Sequence, residues 1–98
     1  MKATAYSILI NINKADGFEC IGKFFIGNNK KFAHSLFDQL KGNTDVNEHS
    51  MLTIELMETL NELPLNLNII SCSLDELAAN CRTITKETFK AINLEELL

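Results

Sequence analysis

The segment YSILININKADGFECIGKFFI, residues 6–26, contains two apolar runs that are separated by a turn pair. Alternate positions from Tyr6 to Ile12 are apolar, which is the period of a strand with one buried face. Asp16 and Gly17 form a pair that is favoured in tight hairpins, because both central residues of such a turn take positive φ. The run from Phe18 to Ile26 is then the returning strand, and the segment predicts a β-hairpin.

A helix is expected directly after this hairpin. Residues 27–29 (GNN) end the second strand, and apolar residues recur every four positions between Phe32 and Leu40. That spacing places them on one face of an amphipathic helix that begins near Lys30. We expect Gly42 to end this helix. Residues 43–50 are almost wholly polar and predict a loop.

The same order of patterns recurs in the second half of the chain. Met51 to Leu60 alternates, a turn occupies residues 61–64, and Leu65 to Ile69 alternates again, so two more strands are predicted. Ser73 and Glu76 form a capping-box pattern, in which each side chain accepts a hydrogen bond from a backbone N–H of the other residue. A second helix is expected there, with an apolar stripe that contains Leu77, Cys81, Ile84 and Ile92.

These patterns predict an α+β fold of order ββαββα in a single domain, residues 1–98. Two ββα halves, about residues 5–42 and 51–92, would form a four-stranded antiparallel sheet with two helices packed on one face. A chain of 98 residues is long enough to bury one core. The pattern does not encode the order of the strands, and whether the halves arose by duplication stays open.

The second face of this sheet is expected to be partly apolar. If the helices cover the face that holds Ile8, Ile54 and Ile69, the opposite face should be polar, but alternation places five apolar residues there. Clustered apolar side chains on an exposed sheet are typical of interaction sites. We therefore predict homodimerisation or protein-partner binding through this face; alternatively, the loop after the first helix or residues 94–98 fold over it. The predicted interface consists of Leu9, Ile21, Phe25, Met57 and Ile70.

Charge is unevenly distributed along the chain. Residues 1–42 carry six lysines against three acidic residues, a net charge of +3, whereas residues 43–98 carry ten acidic residues against three basic ones, a net charge of −7. Lys30 and Lys31 fall in the first turn of the first helix, where the helix dipole disfavours cations. Free backbone N–H groups at such a terminus bind anions. A second hypothesis is therefore a site for a phosphate- or carboxylate-containing ligand, the alternative being that the lysines are merely solvated. The predicted ligand-binding residues are Lys23, Gly27, Asn28, Asn29, Lys30 and Lys31.

Composition and short motifs argue against several other function classes. The net charge of −4 speaks against nucleic-acid binding, and no apolar run reaches the length of a membrane span. Asn11 and Asn13 interrupt the first apolar run, so we expect no secretory signal. The glycine and lysine spacing of a P-loop is absent, and the cysteines and histidines lack paired metal-ligand spacing. We expect neither a cofactor nor a metal.

The three cysteines, Cys20, Cys72 and Cys81, are odd in number, and we expect free thiols, mostly buried, in a reducing cytoplasm. Cys72 precedes the second helix, where the dipole could lower its pKa, and His34 could be its partner. No third group that would orient such a pair is evident. The sequence therefore favours a non-enzymatic protein, with an enzyme that uses Cys72 as the weakest alternative.

Overall fold

The computed structural model describes residues 4–47 and 49–97 and confirms an α+β fold of order ββαββα. All four strands lie in one antiparallel sheet, and both helices pack on the same face of it. No helix in the described ranges is long and apolar enough to cross a membrane. The elements are β1 (Thr4–Lys14), β2 (Gly17–Gly27), α1 (Lys30–Asp38), β3 (Leu52–Leu60), β4 (Leu63–Cys72) and α2 (Leu74–Leu97).

The first strand of each half lies in the centre of the sheet. The strand order is β2-β1-β3-β4, so the two hairpins join through an antiparallel β1–β3 pair. Ile8 pairs with Phe24 on one side and with Leu56 on the other. The core therefore begins on the middle strands, and β2 and β4 are the two edges.

The helices bury their apolar faces against these central strands. Ala33, Leu36 and Phe37 of α1 and Ile84 of α2 are buried in the same cluster as the isoleucines and leucines of β1 and β3. The alternation of β1 and β3 and the four-residue spacing in α1 both point to this cluster, so local sequence and tertiary packing agree. The core of buried apolar residues is Tyr6, Ile8, Ile26, Ala33, Leu36, Phe37, Ile54, Leu56, Ile70 and Ile84.

A β-bulge in β4 overturns the predicted placement of Ile70. Leu56 pairs with Asn68 but the next residue, Met57, pairs with Asn66, so one residue of β4 is extra. An extra residue reverses the alternation beyond it. Ile70 therefore pairs with Ile54 on the helix side and is 8% exposed, whereas Ile69, expected in the core, lies on the opposite face.

The turns also depart from the predicted ones. In the first hairpin the turn residues are Ala15 and Asp16, and positive φ occurs at Gly17 instead of at both members of the Asp16-Gly17 pair. In the second hairpin both turn residues, Asn61 and Glu62, have positive φ. A two-residue turn of that kind matches the twist of the flanking strands.

The first helix ends earlier than its apolar pattern suggests. Its last residue is Asp38, and the following Lys41 is held by Asn80, whose amide accepts from Lys41 N at 2.7 Å and donates to Lys41 O at 2.7 Å. Gly42 is therefore not the helix stop. Its role is close approach, because a Cβ there would lie 2.5 Å from the carbonyl oxygen of Ser71.

The second helix begins at the capping box that the sequence predicts. Ser73 N donates to Glu76 Oε1 at 2.9 Å, and Glu76 N donates to Ser73 Oγ at 3.1 Å. These two bonds satisfy N–H groups that have no partner within the helix. The capping box is confirmed, and α2 continues for 24 residues, against nine in α1.

Candidate functional site

The sheet face away from the helices, here called the open face, has regular rows of side chains. Leu9 pairs with Lys23 of β2 and with Glu55 of β3, so these three side chains form one row. Direct cross-strand partners point to the same face of a sheet. The neighbouring row contains Phe25, Ser7 and Met57, and Ile69 continues the first row onto β4.

Four of the five residues predicted as an interface occupy this face. Leu9 and Met57 are half-buried in its centre, and Ile21, at a bulge of β2, is 54% exposed. Phe25 pairs with Ser7 at the edge and is 67% exposed. Ile70 lies on the helix side instead, because of the bulge in β4. The open face has two further exposed apolar residues, Phe18 and Ile69.

A hydrogen-bonded polar group lies beside the apolar row. Asn11 Nδ2 donates to Glu55 Oε1 at 2.6 Å and to Thr53 Oγ1 at 3.4 Å. Asn11 is buried, so its amide fixes the Glu55 carboxylate on the open face. Alternation along each strand is enough to place all three on one face, but their contact depends on the β1–β3 pairing, which periodicity does not reveal.

The loop after α1 covers one end of the open face. Asn43 and Ser71 exchange two backbone hydrogen bonds of 2.8 Å, and Ser71 Oγ donates to the carbonyl oxygens of Asn43 and Asp45. Thr53, the partner of Ser71 in β3, has no exposed surface. The loop after α1, one alternative cover of this face that the sequence predicts, therefore lies at this end. The rows through Ser7 and Leu9 include exposed side chains.

The predicted anion site is only partly assembled. Gly27, at φ 100, ends β2, and Asn29 caps α1 by accepting the N–H of Phe32 at 3.0 Å. Lys30 and Lys31 are exposed in the first turn, which holds no acidic residue. Lys23 lies on the open face, away from α1, because it is one position before Phe24 and three before Ile26, and alternation puts it on the face opposite to these two residues, which pack on the helix side.

A groove of about 240 Å3 lies beside this helix start. Residues 27–29 form one wall, and Phe32 and Ile92 supply apolar surface. Thr88 of α2 also lines it, and Thr88 Oγ1 is buried without a hydrogen-bond partner among the described residues. The sequence did not point to the groove, because it is formed by the packing of α2 beside the end of β2.

The cysteine chemistry does not resemble that of an activated nucleophile. Burial, and then the charge of Glu76, raise the pKa of Cys72, whereas nucleophilic thiols have lowered pKa values. His34 Nε2 is buried and forms no hydrogen bond with any described residue, so this nitrogen does not pair with Cys72. Cys20 is exposed, contrary to the expectation of a buried thiol.

Two further observations bear on function. Within residues 4–47 and 49–97, no three or more histidine, cysteine or acidic side chains converge as a metal site would require. Comparison of the chain with family models, with curated proteins and with solved structures found no match.

Proposed function

We propose that this protein acts by association, binding another protein chain or a second copy of itself through the open face of its sheet. The observation that carries the proposal is the set of exposed apolar side chains on that face, of which Phe18, Ile21 and Phe25 are each more than half exposed. Apolar surface of this extent stabilises a complex when it is removed from water. On the helix side the central apolar residues already form the core, whereas Leu65, Phe89 and Ile92 are more than half exposed.

No catalytic step enters the proposal. The raised pKa of Cys72 and a His34 Nε2 that does not pair with it both argue against nucleophilic chemistry at that thiol. The three free cysteines favour a reducing compartment, the cytoplasm, where an exposed thiol such as Cys20 stays reduced.

The association is tested by the effect of Leu9→Thr on the molar mass in solution. Threonine keeps strand propensity while removing apolar surface from the centre of the face, so we expect concentration-dependent association of the parent and at least tenfold weaker association of Leu9→Thr. Gel filtration with light scattering over a wide concentration range measures this.

The matched control is Leu63→Thr, a strand leucine that is 72% exposed at the second hairpin turn. This variant should associate as the parent does, and circular dichroism should show that both variants are folded. If the parent associates and Leu9→Thr associates equally well, the role of the open face is contradicted.

A second candidate function, binding of a small anionic ligand, is favoured by the groove beside Gly27 and Asn29. A ligand with a carboxylate or phosphate group and an apolar part would match the basic first turn of α1 on one side and the apolar walls on the other. Asn29 already satisfies one N–H of the turn, so the lysines would supply much of the attraction.

Thermal shift with inorganic phosphate and with octanoate tests this candidate, using sodium chloride at equal ionic strength as the reference. We expect either anion to stabilise the parent and the Lys30→Ala/Lys31→Ala variant to lose most of that stabilisation. Lys86→Ala/Lys90→Ala removes the same charge from α2 and should respond like the parent. An unresponsive parent would rule the site out.

A further inference from the structure

The partner that the open face fits is a second copy of this chain. We propose that two copies pair face to face about a twofold axis that runs along β1, so that β1 of one copy lies over β1 of the other. This arrangement rests on the proposed function of the open face and names its occupant. The charges of a single row of side chains carry the argument.

When two sheets stack face to face, the twofold axis that relates them lies in the plane of their contact. The position of this axis determines which strands of the two copies face each other. If the axis runs along β1, each strand that flanks β1 faces the partner's strand that flanks β1 on the opposite side. Because β2 and β3 flank β1, β2 of each copy lies over β3 of the other. An interface of this kind uses the same patch on both copies and must be self-complementary.

The row through Leu9 meets that requirement. Lys23 and Glu55 are the two cross-strand partners of Leu9, so the rotation places Lys23 over the partner's Glu55 and repeats the contact by symmetry. Leu9 then meets the partner's Leu9 on the axis. Two opposite-charge contacts would thus flank an apolar centre, as is usual for a protein interface with a polar rim.

Another axis, through the middle of the sheet between β1 and β3, is disfavoured by the same residues. It would set β1 over the partner's β3 and β2 over the partner's β4. Leu9 would then face a carboxylate, and Lys23 would face an apolar residue, the partner's Ile69. Burying charges against apolar groups is unfavourable, so of these two axes the charges favour the one along β1.

The two charged groups are available for these contacts. Asn11 Nδ2 binds Glu55 Oε1 at 2.6 Å, which leaves Oε2 free to accept from a lysine. Lys23 is exposed and forms no ion pair with any residue in the described ranges. The carboxylate is held in place before association, so less side-chain freedom is lost when the partner's Lys23 arrives.

The uncovered part of the face indicates a weak dimer. About seven residues along the strands at roughly 3.3 Å each, and the three strands that overlap about this axis, roughly 4.8 Å apart, give a footprint of roughly 330 Å2 per copy. Stable interfaces bury about 800 Å2 per partner. We therefore expect a dissociation constant in the micromolar range or weaker, and concentration must be varied accordingly.

Charge reversal with mixing tests the arrangement. Lys23→Glu places two carboxylates opposite each other, Glu55→Lys places two ammonium groups opposite each other, and each single variant should dimerise at least tenfold more weakly than the parent. An equimolar mixture of the two variants should recover heterodimers, because both contacts again join opposite charges. The double variant Lys23→Glu/Glu55→Lys should recover homodimers. Sedimentation velocity measures dimer formation by the two single variants, their mixture and the double variant. In the mixture, one variant is fluorescently labelled.

The controls separate this arrangement from the broader proposal. Lys86→Glu reverses a charge on exposed α2 and should dimerise like the parent. Glu55→Lys also loses the Asn11 bond, but that loss cannot explain rescue by mixing. A dimeric parent whose single variants are not rescued overturns the β1-on-β1 arrangement and leaves association through the open face standing. A parent that stays monomeric at high concentration overturns the second copy as the occupant.

Discussion

One buried asparagine joins the two halves of the chain. Asn80 of α2 is 1% exposed, and its amide makes both hydrogen bonds to the peptide groups of Lys41, just after α1. These bonds replace the partners that the backbone of Lys41 would find if α1 continued. The apolar stripe predicted for α2 includes Leu77, Cys81 and Ile84 but gives no sign of this polar member.

Asn80→Ala should lower the free energy of unfolding by about 2–3 kcal/mol, because it leaves a backbone donor and acceptor unsatisfied and opens space in the core. Urea unfolding measures the change. Asn93→Ala on the same helix removes only a bond to the carbonyl of Phe89 and should cost less than about 0.5 kcal/mol. Similar costs for the two variants would contradict the role given to Asn80.

Tyr6 gives the fold a dependence on alkaline pH. Its hydroxyl donates to Glu58 Oε2 at 2.7 Å, and this hydrogen bond, followed by burial and the charge of Glu58, raises the pKa of Tyr6 above its usual value of 10.0. The unfolded chain therefore releases the phenolic proton at lower pH than the folded chain does. The stabilisation is complete below about pH 10 and is lost as the pH rises toward the pKa of the folded state.

We expect Tyr6→Phe to cost about 1 kcal/mol at neutral pH and to flatten the loss of stability above about pH 10. Tyr6 is the single tyrosine of the chain, so the ultraviolet absorbance of its phenolate reports one group. The titration midpoint of the folded parent should lie above that of the urea-unfolded chain. Identical midpoints would show that the contact with Glu58 does not raise the pKa of Tyr6 in the folded chain.

Periodicity predicts the middle strands well and the edge strands less well. β1 and β3 alternate without interruption, and their core residues Ile8, Ile54 and Leu56 are those expected from the pattern. The pattern does not predict that Ser7, Asn11 and Thr53, on the opposite face, are buried as well. Where the register shifts, β2 contains two residues and β4 contains one residue that have no direct partner, and in β4 this reverses the faces of Ile69 and Ile70. Both are isoleucine, so a pattern of apolar letters cannot distinguish them.

The helices show a similar difference between their starts and ends. Local signals mark the start of each one: Asn29 caps α1, and Ser73 with Glu76 caps α2. The end of α1 depends instead on Asn80 and on the close approach of Gly42 to Ser71. Such tertiary contacts join residues about 30–40 positions apart, beyond the reach of any local pattern.

The whole molecule determines which candidate residues meet. Leu9, Phe25 and Met57 could be placed on the open face from alternation alone, but the row that contains Lys23 and Glu55 requires the strand order β2-β1-β3-β4. Alternation along β2 places Lys23 on the open face and so separates it from Lys30 and Lys31, with which the sequence had grouped it in one anion site. On the open face, the basic first half of the chain contributes Lys23 and the acidic second half contributes Glu55, and these two residues lie on either side of Leu9.

The central β1–β3 pair also has a consequence for how the chain folds. Each hairpin joins neighbouring segments, whereas the partners across the centre are at least 40 residues apart, as with Ile12 and Leu52. Closing a long loop costs entropy that is recovered only when both strands are in place, and non-local pairing slows folding. The two hairpins should therefore form early, and their joining through β1 and β3 should limit the folding rate.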